Sequence, residues 1–132
     1  MLYRLPTESE WEFACRAQSI TARPYGENKE LLARFAWYAD NSGTERAIAV
    51  GTMRPNDFGL FDMLGNIFEW NQNTWTKHPF DNRIGIGLGL PNGKVDLKQL
   101  RLLRGGSFGD LALNVRSSNW YSSDPTFDSN NY

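Results

Sequence analysis

The chain is poor in the residues that most often carry chemistry. Among its 132 residues there is one cysteine and one histidine. The lone Cys15 excludes an internal disulfide and leaves the redox compartment open. His78, in Thr76-Lys77-His78-Pro79, reads as part of a surface loop, and one histidine cannot make a metal site. A Ser-His-Asp mechanism would need it beside Ser107, and nothing in the sequence brings the two together. An excess of either charge is also lacking: fourteen Lys and Arg stand against fifteen Asp and Glu. With no charge run or basic stripe, nucleic acid and anionic membranes are not expected partners. No apolar stretch approaches the roughly 20 residues of a membrane span. Met1-Leu2-Tyr3-Arg4 lacks the apolar region of a signal peptide, so none is expected and the compartment stays undetermined.

What is present is aromatic mass among turns. Eight Phe, five Trp and five Tyr accompany twelve Gly and six Pro. The length suffices for one core and not two, so residues 1–132 read as a single domain. The mixture predicts a loop-rich fold held by large side chains rather than by long regular elements.

Thr7-Glu8-Ser9-Glu10 is a capping box following Pro6, and it predicts a helix over about residues 8–17. Trp11, Ala14, Cys15 and Gln18 fall on one face of it. Cys15, beside Ala14, reads as a small core residue rather than a reactive thiol. Pro24, Gly26 and Asn28 mark a loop, followed by a short helical turn at Lys29–Phe35, an aromatic anchor at Phe35–Tyr38 and a turn at Asp40-Asn41-Ser42-Gly43. Ala47–Met53 reads as a short strand ended by Arg54-Pro55-Asn56. Phe58–Trp70 is apolar but has no clean period, being broken by Gly59, Asp62 and Gly65, and its backbone groups must be satisfied by other means. Residues 83–93 read as a hairpin-like loop and Leu97–Phe108 as a strand returning to the core. Of the last 24 residues, fourteen are Asn, Ser, Asp or Tyr. Such a segment is either plain polar surface or a ligand-facing one, since these residues make adaptable contacts.

Three blocks stand out from this background: Tyr3-Arg4-Leu5-Pro6-Thr7-Glu8-Ser9-Glu10-Trp11-Glu12-Phe13-Ala14, then Asn56-Asp57-Phe58-Gly59-Leu60-Phe61-Asp62-Met63-Leu64-Gly65-Asn66-Ile67-Phe68-Glu69-Trp70, then Leu103-Arg104-Gly105-Gly106-Ser107-Phe108. In this order and at these separations they closely resemble the formylglycine-generating enzyme family, also called the sulfatase-modifying-factor domain. The likeness covers nearly the whole chain outside residues 74–98. It implies an α+β, C-type-lectin-like fold with few helices, short strands and long packed loops. It also implies an incomplete domain. Family domains usually carry an N-terminal half before the Arg-Leu-Pro-Thr-Glu block, and end in a Gly-Phe-Arg strand after a segment like Ser129-Asn130-Asn131-Tyr132. Apolar surface left bare would then be covered by the missing part of the domain or by an adjacent one.

The resemblance also assigns sites. Characterised members oxidise a sulfatase cysteine to formylglycine with copper(I) held by two cysteines downstream of the third block, soft thiolates being the ligands that suit this ion. Here those positions are Asp110 and Val115, so copper is not expected. A family calcium site in the second block carries over to the Asp62 side chain, the Gly65 and Ile67 carbonyls and the Glu69 side chain. That oxygen-only set suits a hard cation. The alternative is that Asp62 caps a turn and Glu69 pairs with an arginine such as Arg104. Arg4 and Arg104 themselves read as structural hydrogen-bond donors to loop carbonyls.

Three functions remain open on the sequence. The first is a non-catalytic binding or regulatory module, its ligand face drawn from Asp110, Asn114, Arg116, Asn119, Trp120, Tyr121 and Asp124. The second is an enzyme of the same superfamily, either oxidase-like or of the sulfoxide-synthase type with metal ligands on another domain. The third is a retroelement-diversified ligand-binding protein. The protein or small-molecule ligand is not specified by the sequence in any of them.

Overall fold

The structure, a computed structural model, describes residues 3–43, 46–77, 84–87 and 98–127. His78, the greater part of the 83–93 loop, Leu97 and residues 129–132 lie outside the described residues.

The capping box forms with both of its bonds. The Glu10 N–H donates to Thr7 Oγ1 at 3.2 Å and the Thr7 N–H donates to the Glu10 carboxylate at 2.8 Å. Helix α1 accordingly runs Glu8–Arg16. It ends one residue before the expected point because Ala17 turns left-handed at φ 46°, its N–H bonding the Phe13 carbonyl. Gln18, at φ 74°, is therefore exposed rather than on the helical face. Trp11 and Cys15 make the buried face, and they pack with Leu32, Ala36, Tyr38, Leu64 and Val115 as the core. Leu32 comes from a 3-10 helix at Lys29–Arg34, and a single turn of helix, α2 (Ala39–Ser42), closes on Gly43.

Among the described residues, four strands form one antiparallel sheet: β1 (Glu69–Lys77), β2 (Ile84–Gly87), β3 (Arg101–Arg104) and β4 (Trp120–Ser123), in the order β2-β1-β3-β4. The molecule is thus a small mixed helix and strand fold. The expected return strand is the short β3, which Gly105 and Gly106 end at φ 90° and 80°. β1 was not legible in the sequence. Its Asn71-Gln72-Asn73-Thr74 run is polar yet buried. It offers no apolar alternation, and its place is fixed by tertiary bonds: the Glu8 N–H to Asn73 Oδ1 at 2.7 Å and the Gln72 N–H to the Pro6 carbonyl at 2.8 Å.

Two expectations are corrected. Ala47–Met53 is not a strand. Its backbone bonds go to side chains instead, Ile48 to Asn66 and Gly51 to Asp62, and Gly51 turns at φ 73°. The polar C-terminal segment is not only surface, since it supplies β4 and buries Val115 and Ser117 completely.

Candidate functional site

The three sequence blocks meet at their glycines and aromatics. The Gly65 N–H donates to the Gly105 carbonyl at 2.9 Å and the Phe108 N–H to the Asn66 carbonyl at 2.7 Å, joining the second block to the third. Gly65 also lies beside Trp37 in a parallel bridge, at φ +72°. A Cβ there would stand 2.1 Å from the Trp37 carbonyl oxygen, so only glycine fits. The first block joins through Trp11, whose indole N–H donates to Glu69 Oε2 at 2.7 Å.

After the third block the chain folds back as a latch. Asp110 Oδ2 accepts the Ser107 N–H at 2.8 Å and the Ser107 hydroxyl at 2.9 Å, while Asp110 Oδ1 accepts the Tyr121 hydroxyl at 3.1 Å. Burial first and the Asp110 charge second raise the Tyr121 pKa, so this hydroxyl stays a proton donor. The Tyr121 ring meets Phe68 edge-on at 4.8 Å. A Cβ on Gly106 would lie 3.3 Å from Val115 Cγ2 and 3.7 Å from Asp110 Oδ2. The two positions at which the resemblance expects cysteines therefore converge on Gly106. They hold a bonded carboxylate and a buried isopropyl group.

Asp62 and Glu69 sit at opposite ends of the irregular stretch before and into β1. Asp62 is left-handed at φ 55°, and its Oδ2 accepts the Gly51 N–H at 2.6 Å. Burial raises the Glu69 pKa, the Trp11 bond opposes that, and the charge of Asp62 raises it further. No donor among the described residues reaches the Gly65 or Ile67 carbonyl. No cluster of three or more His, Cys, Asp or Glu able to hold a metal occurs among the described residues.

Arg104 does not pair with Glu69. It is fully buried, and its Nη2 meets Glu8 Oε1 at 2.8 Å and also Glu12 Oε2, while Nη1 donates to the Asn119 carbonyl. Its guanidinium lies 5.1 Å from the centre of the Trp11 ring. Glu8 and Glu12, one turn apart on α1, form a clamp that sequence reasoning missed; their i, i+4 spacing was the available signal. Arg4 remains at the surface. It forks onto both Glu10 oxygens at 2.7 Å, and this bond, helped by the Thr7 N–H, holds the Glu10 carboxyl down at about 2. Arg23, also missed, is buried and donates to the Val115 and Ala112 carbonyls at 3.1 and 2.6 Å. Cys15 is buried and burial pushes its thiol up to about 12, in keeping with a core role.

The residues expected on a ligand face divide by environment. Arg116 and Asp124 are exposed, and Asp124 accepts the Thr126 N–H and hydroxyl at 2.8 and 2.7 Å. Trp120 and Tyr121 are half-buried on β4. The Asn119 amide donates to the Asn114 carbonyl at 2.8 Å, bringing those two together.

The sequence matches, over residues 2–132, the family described as the sulfatase-modifying factor enzyme 1-like domain. The formylglycine-generating enzyme of Bos taurus is 32% identical over 117 residues, covering 80% of this chain and 30% of that protein. The serine/threonine-protein kinase pkn1 of Chlamydia pneumoniae is 32% identical over 123 residues, covering 92% of this chain and 19% of the kinase. Among solved structures, Treponema denticola variable protein 1 superposes with a TM-score of 0.76 at 29% identity, covering 97% of this chain and 44% of that one. The chain therefore spans less than a third of these curated relatives. With the family model matched over residues 2–132 and the three blocks joined in the fold, the chain belongs to the formylglycine-generating enzyme, or sulfatase-modifying-factor, family.

Proposed function

We propose that this chain is a non-catalytic binding or regulatory module of its family, with a C-type-lectin-like fold. The observation that carries this is the occupation of the two cysteine positions. The Asp110 carboxylate is engaged by Ser107 and Tyr121, and Val115 is 0% exposed. Neither side chain offers copper(I) a soft ligand. The match to a stretch amounting to 19% of a protein named as a kinase supports use of the domain as a part of larger chains. The ligand face would be built on Arg116 and Asp124 with Asn114, Asn119, Trp120 and Tyr121 behind them, and Asp110 as its support. The test is incubation of the purified chain with copper(I) and a cysteine-containing sulfatase peptide. No bound copper and no formylglycine is the expected result; conversion of the peptide would overturn the reading.

Calcium fits the second block as a structural ion. Asp62 and Glu69 would supply carboxylate oxygens and Gly65 and Ile67 carbonyls, an oxygen set of the kind hard cations take. What supports it is a half-buried Glu69 whose pKa is raised by desolvation and by the neighbouring Asp62 charge, a repulsion that a cation would relieve. The ion would supply folding stability and no reaction step.

A second reading, a diversified ligand-binding protein, is favoured by one observation: the solved relative that covers 97% of this chain is itself named a variable protein.

A further inference from the structure

Among the described residues, the segment from Arg46 to Val50 has no strand beside it. The Ile48 N–H donates to Asn66 Oδ1 at 2.8 Å, and the Ile48 carbonyl accepts from Asn66 Nδ2 at 3.0 Å. Asn66 is 2% exposed. One buried side-chain amide thus exchanges with Ile48 the two bonds that a residue on a neighbouring strand would exchange. When a residue directs both backbone groups to one side, the alternation of extended chain sends those of its neighbours to the other. The outward edge therefore belongs to Ala47 and Ala49. The Ala49 carbonyl accepts the Thr52 hydroxyl at 3.0 Å, and Thr52 Oγ1 accepts the Trp37 indole N–H at 2.8 Å, which stands Trp37 along that edge. No group among the described residues bonds the N–H or carbonyl of Ala47 or the N–H of Ala49. An open cavity of about 590 Å³ lies against them, lined by Trp37, Asn41, Ser42 and residues 46–49. Its far wall is fixed, since the Asn41 amide takes the Tyr38 N–H at 2.8 Å and donates to the Ala36 carbonyl at 2.9 Å.

We propose that this edge receives an extended peptide from another polypeptide, which adds a short strand beside Ala47–Ala49 and rests a side chain on the Trp37 ring. The free groups define the occupant. Equivalent donors two residues apart are separated by about 6.6 Å, a spacing matched by an extended backbone and not by a small polar molecule. A helix has no free backbone donors and acceptors along its length to offer. The cavity beside the edge gives the added strand room, and the Asn66 amide holds the receiving segment in the paired conformation beforehand, which lowers the ordering cost of binding. This edge lies apart from the Asp110 latch, and the inference does not rest on the chain being non-catalytic.

The experiment begins with random linear twelve-residue peptides displayed and selected on the folded chain. A selected peptide, synthesised, is titrated into 15N-labelled chain. Saturable shifts at the Ala47 and Ala49 amides are expected. Methylating alternate backbone nitrogens of the peptide should weaken binding about tenfold or more, the equivalent of one or two lost hydrogen bonds. Ala49→Pro, which removes the outward donor and keeps the Ile48–Asn66 pair, should weaken it similarly; the methylated peptide decides the matter should this variant fold poorly. Failure to select any peptide that shifts these two amides would overturn the proposal, as would equal binding by the methylated peptide. No oxidation or copper readout enters, so the outcome is separable from that of the non-catalytic reading.

Discussion

The Asp110 carboxylate grips Ser107 twice, taking its backbone N–H at 2.8 Å and its hydroxyl at 2.9 Å. This closes the loop after Gly105-Gly106 and ties it to β4 through Tyr121. Because the acceptor is a carboxylate, these bonds are stronger than neutral ones. Asp110→Ala is expected to lower stability by about 2–3 kcal/mol, and Tyr121→Phe by about 1 kcal/mol or less. Urea denaturation of the three proteins checks the order; equal midpoints would show that the latch is not a determinant of stability.

Arg104 is buried between α1 and the sheet with Glu8 and Glu12 on its guanidinium. Arg104→Ala leaves two carboxylates facing an empty site and should cost about 3 kcal/mol or more. Arg104→Lys keeps the charge but cannot reproduce the planar fork, and should recover only part of the loss. Full recovery by lysine in thermal melts would mean that charge alone matters there.

Gly65 tolerates no side chain, because a Cβ would stand 2.1 Å from the Trp37 carbonyl oxygen and its φ is +72°. Gly65→Ala is expected to destabilise by about 3 kcal/mol or more, or to prevent folding. A folded variant with an unchanged melt would show that Trp37 can move aside, and the same variant would then alter the cavity beside residues 46–49.

Calcium bound by Asp62, Gly65, Ile67 and Glu69 would stabilise only the folded chain. At a hundredfold excess over the dissociation constant the gain is about 2.7 kcal/mol, a rise in melting temperature on the order of 5–10 °C. Chelator should remove that rise, and Glu69→Ala should abolish the response to both calcium and chelator. An identical melt with and without chelator would remove calcium from the account.

Cys15, with its thiol pushed up to about 12 by burial, should resist iodoacetamide at pH 8 while the chain is folded and react as urea unfolds it. The raised folded value means that the unfolded state loses the proton first. This contribution to stability is intact below the ordinary thiol range near 9 and is lost as pH rises from there to about 12. Cys15→Ala should be less stable at neutral pH through the cavity it leaves, and should lack that part of the alkaline loss. Rapid labelling of the folded chain would contradict the burial.

By itself the sequence determined what depends on neighbours along the chain. The capping box of Thr7 and Glu10 starts α1 because both bonds close within one turn. The blocks around Gly65 and Gly105-Gly106 identified the family, since glycine is the residue that serves where backbones touch. That no thiol stands at positions 110 and 115 was equally plain, the residues there being Asp110 and Val115. Only the tertiary structure decided the long-range partners. Arg104 had several carboxylates within its reach in principle, and the packing of α1 on the sheet gave it Glu8 and Glu12 rather than Glu69. The polar run of β1 became a central strand because Pro6 and α1 satisfy its groups, which no period in the sequence records. Ala47–Met53 had the composition of a strand and, among the described residues, found no strand to pair with. A buried asparagine met Ile48 instead, and on the opposite edge no described residue bonds the Ala47 N–H or carbonyl. Pairing is a property of two segments, and only the folded chain fixes which segments meet.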